Sequence, residues 1–192
     1  MTDEELVRRM ADGDQAAFEA FVHRYHGALH RYVERLLGDG RKAEDIVQET
    51  LLRLIRQLRT GQVPAAVRPW LYRVASNLCK DYWRSGGYRN ELASELAEAD
   101  RPAHGPSIVE IYERQETRRE VLSTLGSLPP AQREIVVLRF YEDKKLQDIA
   151  EIVELPLNTV KTNLYSALRK LRGRLLPDKG KTDQKKGGQT YA

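Results

Sequence analysis

The chain has 192 residues and a formal net charge of +4, with 41% apolar, 31% charged and 7% aromatic side chains. That is enough apolar material for small helical cores but not for a membrane span, because nowhere do about 18 apolar residues run together. The single cysteine, Cys79, excludes an internal disulfide, and Met1-Thr2-Asp3-Glu4-Glu5-Leu6 lacks the basic and apolar stretches of a secretory leader, so a reducing cytoplasm is expected.

No stretch alternates Val, Ile, Thr and aromatics, so an all-α fold is expected. A first helix is predicted from Asp14, a suitable N-cap, with Ala17, Phe18, Phe21, Val22, Tyr25, Leu29, Tyr32 and Leu36 on one face. Gly38-Asp39-Gly40 ends it. A second covers about 42–59, its apolar stripe formed by Ala43, Ile46, Val47, Thr50, Leu51, Leu54, Ile55 and Leu58. Gly61 to Pro64 breaks it. A third runs from about Pro69 to Trp83, with Leu71, Val74, Ala75, Leu78 and Tyr82 expected inside.

After Gly87 the periodicity weakens, and Pro102, Gly105 and Pro106 interrupt it. The expectation is two small helical domains joined by a flexible linker: residues 1–89, a linker over 90–108, and residues 109–176. A linker of roughly 20 residues could reach about 70 Å at most. The tail over 177–192 has no apolar period and is expected to be disordered and basic. Within the second domain, Leu146, Ile149, Ala150 and Val153 form a short apolar face before Glu154-Leu155-Pro156. Proline cannot continue the preceding helix. A new helix opens at Leu157 with Val160, Leu164, Ala167, Leu168 and Leu171 inward, which makes a helix-turn-helix.

Charge is segregated along the chain. Residues 53–89 carry eight basic side chains and one acid, Asp81, and residues 157–192 carry nine basic and two acidic ones. Two basic blocks suit two contacts with a polyanion, or else ordinary solvated helix faces. On the third helix, Arg73, Asn77, Lys80 and Arg84 recur at three- and four-residue steps. Cations suit phosphates and an amide suits a base edge, while Trp70, Tyr72 and Trp83 lie near enough for one of them to stack on a base. The last helix exposes Asn158, Thr159, Lys161, Thr162, Asn163, Tyr165, Ser166 and Arg169, a mixture suited to a major groove. The second helix has the opposite sign: Glu44, Asp45, Gln48 and Glu49 with Leu52 beside them. Such a face repels DNA and suits a basic protein surface or plain solvent.

Taken together, these segments resemble the extracytoplasmic-function subfamily of bacterial RNA polymerase sigma factors. The resemblance runs from about Glu5 to Leu176. It is carried by Gly13-Asp14-Gln15-Ala16-Ala17-Phe18, by Ala43-Glu44-Asp45-Ile46-Val47-Gln48-Glu49-Thr50, and by Pro69-Trp70-Leu71-Tyr72-Arg73-Val74-Ala75-Ser76-Asn77 with Asp81-Tyr82-Trp83-Arg84. Leu128-Pro129 with Gln132-Arg133, then Asp148-Ile149-Ala150 and Thr159-Val160-Lys161, extend it. The resemblance implies that Asp45, Gln48, Glu49 and Leu52 contact the clamp helices of core RNA polymerase, and that Asn77 helps hold a flipped minus-10 base. It implies that the helix after Pro156 enters the minus-35 major groove of promoter DNA. An anti-sigma protein is a further candidate partner. No cofactor is implied, and the chemistry belongs to the polymerase. Glu154 departs from the pattern where the family usually has a turn glycine, Asn158 where a second glycine is common, and Asn163 and Ser166 where arginine is frequent.

Two rival readings remain at this point. A stand-alone helix-turn-helix repressor or activator leaves the acidic second helix and the Asn77 face without a role. An enzyme finds little support: His23, His26 and His30 share a helical face, but no His-Glu-x-x-His, phosphate-cradling glycine loop or nucleophile elbow is present.

Overall fold

The computed structural model describes residues 1–85 and 119–175. The linker expected over 90–108 and the tail expected over 177–192 lie outside the described residues, as do 86–89, 109–118 and 176. Among the described residues there is no strand.

The N-terminal unit is four helices. α1 spans Asp3–Ala11, α2 Gln15–Leu37, α3 Gly40–Arg59 and α4 Val67–Arg84. The starts of α1, α2 and α3 are set by short polar side chains that accept from otherwise unpaired N–H groups. Asp14 accepts from the Ala17 N–H at 3.0 Å, and Asp39 accepts from Arg41 and Lys42 at 2.8 and 3.2 Å. α2 stops at Gly38, whose φ of 79° lets its N–H return to the Glu34 carbonyl at 2.7 Å. α1 precedes the first helix that the apolar period indicates; its stripe is only Leu6, Val7 and Met10, too short to stand out, and Thr2 caps it.

The core of this unit is the apolar stripe of α2 against that of α3, closed by α1 and α4. Phe21, Leu29, Tyr32, Leu36, Ala43, Val47, Leu54 and Leu71 are fully shielded there. Phe21→Ala is expected to destabilise the fold by about 3–5 kcal/mol through lost transfer energy and a residual cavity. Urea unfolding followed by circular dichroism measures it.

The C-terminal unit begins in helical residues 119–126, followed by α5 (Pro130–Phe140), α6 (Leu146–Val153) and α7 (Leu157–Leu175). Pro130 sits where its missing N–H costs nothing. α6 ends at Glu154 in a left-handed conformation, φ 57°, and Pro156 precedes the opening of α7. Val160, Leu164 and Ala167 turn inward as the period predicts, whereas Leu168 lies at the surface.

The two units pack on each other, α2 on α5 and α4 on α6. This contact changes which residues of α4 are buried. Val74, Leu78 and Tyr82, expected inside, are only half-buried, while Tyr72, Ser76 and Cys79 are buried. The helix is covered from a second side that its own sequence does not announce.

Candidate nucleic-acid interface

Three faces carry the side chains singled out above. On α3, Asp45, Gln48 and Leu52 are exposed and Glu49 is half-exposed; Leu52 keeps 45% of its surface in solvent. All four project away from the stripe that α3 buries, because offsets of three, four and seven from Asp45 hold one side of a helix. Gln48 donates to Glu44 at 3.1 Å, and Glu49 accepts from Arg53 at 2.9 Å. The Arg53 bond holds the Glu49 carboxyl below the usual carboxylate range, so it stays ionised. His26 and His30, one helix away, turn to Glu44 (3.0 Å) and to the Gly40 carbonyl (3.1 Å).

On α4, Arg73, Asn77, Lys80 and Arg84 form the expected row. Arg84 is open to solvent, and Asn77 is half-exposed between the two inner cations. Those two cations face carboxylates of the C-terminal unit. Lys80 Nζ lies 3.5 Å from Glu134 and Arg73 lies 3.9 Å from Glu154. Ser76 donates to Glu134, and the Tyr72 hydroxyl donates to Glu142 at 2.6 Å. Burial pushes the Glu134 carboxyl above its ordinary range, with Lys80 and Ser76 pulling the other way. Trp70 and Trp83 are half-buried; Tyr72 is buried against Tyr32 with ring centroids 5.0 Å apart.

On α7, Asn158, Thr159, Lys161, Thr162, Tyr165 and Arg169 are exposed, and Tyr165 keeps 70% of its surface. Asn163 and Ser166 are half-buried. Ser166 accepts from Gln132 of α5 at 3.2 Å, and Asn163 donates to the Thr159 carbonyl at 3.0 Å. Six of the eight therefore point outward freely, and Ser166 is turned toward its own unit. α6 crosses behind α7, and the whole forms a helix-turn-helix with a three-residue turn, Glu154 to Pro156.

One surface was not legible in the sequence. Val121, Leu125, Val136, Phe140, Tyr141 and Leu168 line an apolar groove of about 380 Å³, with Phe140 58% exposed. A continuous apolar surface of this kind suits a protein partner. Phe140-Tyr141 at the end of α5 was the only signal available.

Comparison with known proteins matches the two units to known families. Residues 21–88 match the model for sigma-70 region 2, and residues 118–171 match that for sigma-70, region 4. The chain is 32% identical over 189 residues to the ECF RNA polymerase sigma-E factor of Haemophilus influenzae, covering 92% of this chain and 97% of that one. It is 29% identical over 182 residues to the RNA polymerase sigma-H factor of Pseudomonas aeruginosa, covering 91% and 94%. Among solved structures, CnrH in complex with the cytosolic domain of CnrY superposes with a TM-score of 0.65 at 26% identity, over 92% of this chain and 98% of that one. The sigma factor RpoE of Bartonella quintana, solved with the anti-sigma factor NepR, shares the fold with a TM-score of 0.59 at 21% identity, over 87% and 98%.

Proposed function

As the chain belongs to the ECF RNA polymerase sigma factors and directs core RNA polymerase to promoters for transcription initiation, we propose how its three faces divide that work. Asp45, Gln48, Glu49 and Leu52 on α3 dock on the polymerase. Arg73, Lys80 and Arg84 on α4 track the minus-10 strand, and Asn77 reads one of its bases. The outward side of α7 enters the minus-35 major groove through Asn158, Thr159, Lys161, Thr162, Tyr165 and Arg169, with Asn163 and Ser166 at its margin. Residues 1–89 act as the docking and minus-10 unit and 109–176 as the minus-35 unit, tied by the linker over 90–108.

The observation that carries this reading is the physical separation of an exposed acidic face on α3 from a cation row on α4 within one small unit. A repressor needs only the helix-turn-helix and has no use for the α3 face. The protein supplies binding and positioning, and bond making is left to the polymerase. We infer a cytoplasmic location, where the polymerase works; among the described residues no helix is long and apolar enough to cross a membrane. An anti-sigma protein is the further partner we infer, on the likeness to proteins solved with such partners. The apolar groove beside Phe140 fits it.

Run-off transcription with core polymerase on a genomic promoter library tests the assignment. Discrete start sites that share minus-10 and minus-35 elements are expected only when the chain is added. Tight, specific duplex binding by the chain alone, with no effect on polymerase, would replace this reading by the repressor.

A further inference from the structure

We propose that Gln132 of α5 is a positioning residue for minus-35 reading. It receives Lys170 on its amide oxygen and donates to the Ser166 hydroxyl, and so turns Ser166 into a hydrogen-bond donor aimed at an acceptor on a base edge. The inference rests on the placing of α7 in the minus-35 groove made above and adds the sense in which one of its side chains reads.

Gln132 lies in the first turn of α5 and is half-buried. Its amide bridges to two side chains of α7 that stand one helical turn apart. Lys170 Nζ donates to Gln132 Oε1 at 3.0 Å, and Gln132 Nε2 donates to Ser166 Oγ at 3.2 Å. The oxygen and nitrogen of an amide are alike in shape, so their partners decide which is which. An ammonium carries only donors, so the amide oxygen must face Lys170. The amino group then faces Ser166, whose oxygen has to accept. The Ser166 hydrogen is left to point away from α5, and among the described residues no acceptor holds it. The packing of α5 on α7 fixes this relay in place, with Val136, Val160, Leu164 and Ala167 all buried.

The neighbouring side chains of α7 are set differently. Thr162 donates its hydroxyl hydrogen to the Asn158 carbonyl at 2.9 Å, which leaves lone pairs facing outward. Asn163 gives an N–H to the Thr159 carbonyl at 3.0 Å. A serine hydroxyl is otherwise ambivalent, because it rotates to donate or to accept as its surroundings ask. Such a group separates bases poorly. Held by Gln132, it discriminates. Guanine and thymine show acceptors in the major groove, whereas cytosine shows an amino donor. A donor set against a donor leaves both groups unsatisfied once water is excluded, and that loss is what rejects the wrong base.

The test is competition binding by core polymerase loaded with the full chain, on promoters carrying every single-base-pair change in the minus-35 element. Wild type is expected to favour guanine or thymine over cytosine at one position by about fivefold, the discrimination of a single hydrogen bond. Gln132→Glu is isosteric, but its carboxylate accepts from Lys170 and from Ser166 alike, so the hydroxyl hydrogen turns inward and lone pairs turn outward. That variant is expected to prefer cytosine at the same position. Ser166→Ala is expected to remove the preference there, and Gln132→Glu added to it to shift no base ratio further. Each variant is compared with itself across base pairs, so the uniform repulsion between a new carboxylate and the DNA backbone cancels. A merely structural Gln132 would weaken all minus-35 sequences equally. Unchanged base ratios in Gln132→Glu, with helical circular dichroism retained, therefore overturn the proposal. So do unchanged ratios in Ser166→Ala where Lys161→Ala does weaken minus-35 binding. If neither Ser166→Ala nor Lys161→Ala alters use of the minus-35 element, the α7 assignment itself falls and takes the proposal with it.

Discussion

Replacing Asp45 and Glu49 by lysine is expected to lower affinity for core polymerase on the order of a hundredfold while leaving helical content unchanged. Both side chains lie on the solvent side of α3, so their reversal removes no core contact. Glu49 loses its bond from Arg53, which is worth only about 0.3–0.5 kcal/mol as an i,i+4 pair on an exposed helix. At a docked surface the same change sets like charges against each other, at about 1–2 kcal/mol per residue on a basic partner. Two such terms give the hundredfold. Pull-down or calorimetry against core polymerase checks it, with circular dichroism as the control. Undiminished binding would remove α3 from the interface.

Asn77→Ala and Lys80→Ala are expected to fail in different ways. The amide of Asn77 can satisfy a base edge, so its loss should erase about 1–3 kcal/mol of preference at one minus-10 position. Lys80 can neutralise one phosphate, so its loss should weaken every promoter alike and reduce the salt slope of binding by about one. Lys80→Ala also removes the cation beside the buried Glu134, so circular dichroism should confirm that the variant keeps its fold. Promoter competition across single-base variants separates the two, and identical shifts in preference would merge the roles.

Much of the fold was legible because its helices are amphipathic and their ends are punctuated. Ala43, Ile46, Val47, Thr50, Leu51, Leu54 and Leu58 fall on one stripe in the sequence and are the residues α3 buries. Asp14 and Gly38 mark the ends of α2 for the same chemical reasons they do so anywhere. What escaped was burial imposed from a distance. Arg133 and Glu134 are charged residues near the start of α5, yet both are buried because α2 and α4 close over them. Tyr72, a candidate for stacking on a base in the sequence, is buried for the same reason. Period within one helix cannot announce a partner some 60 residues away in the chain. Of the α7 face, six outward residues follow from spacing alone, but the turn of Ser166 toward Gln132 depends on how α5 lies against α7.

Glu154 has a consequence for anyone who engineers this protein for durability. A non-glycine residue in the left-handed region carries about 1 kcal/mol of steric cost that glycine avoids. Glu154→Gly is therefore expected to raise the melting temperature of the C-terminal unit by about 4 °C, readable by calorimetry. The same change deletes the carboxylate facing Arg73. A screen that rewards heat resistance would pick this substitution readily, because the ion pair it gives up lies largely in water and contributes little.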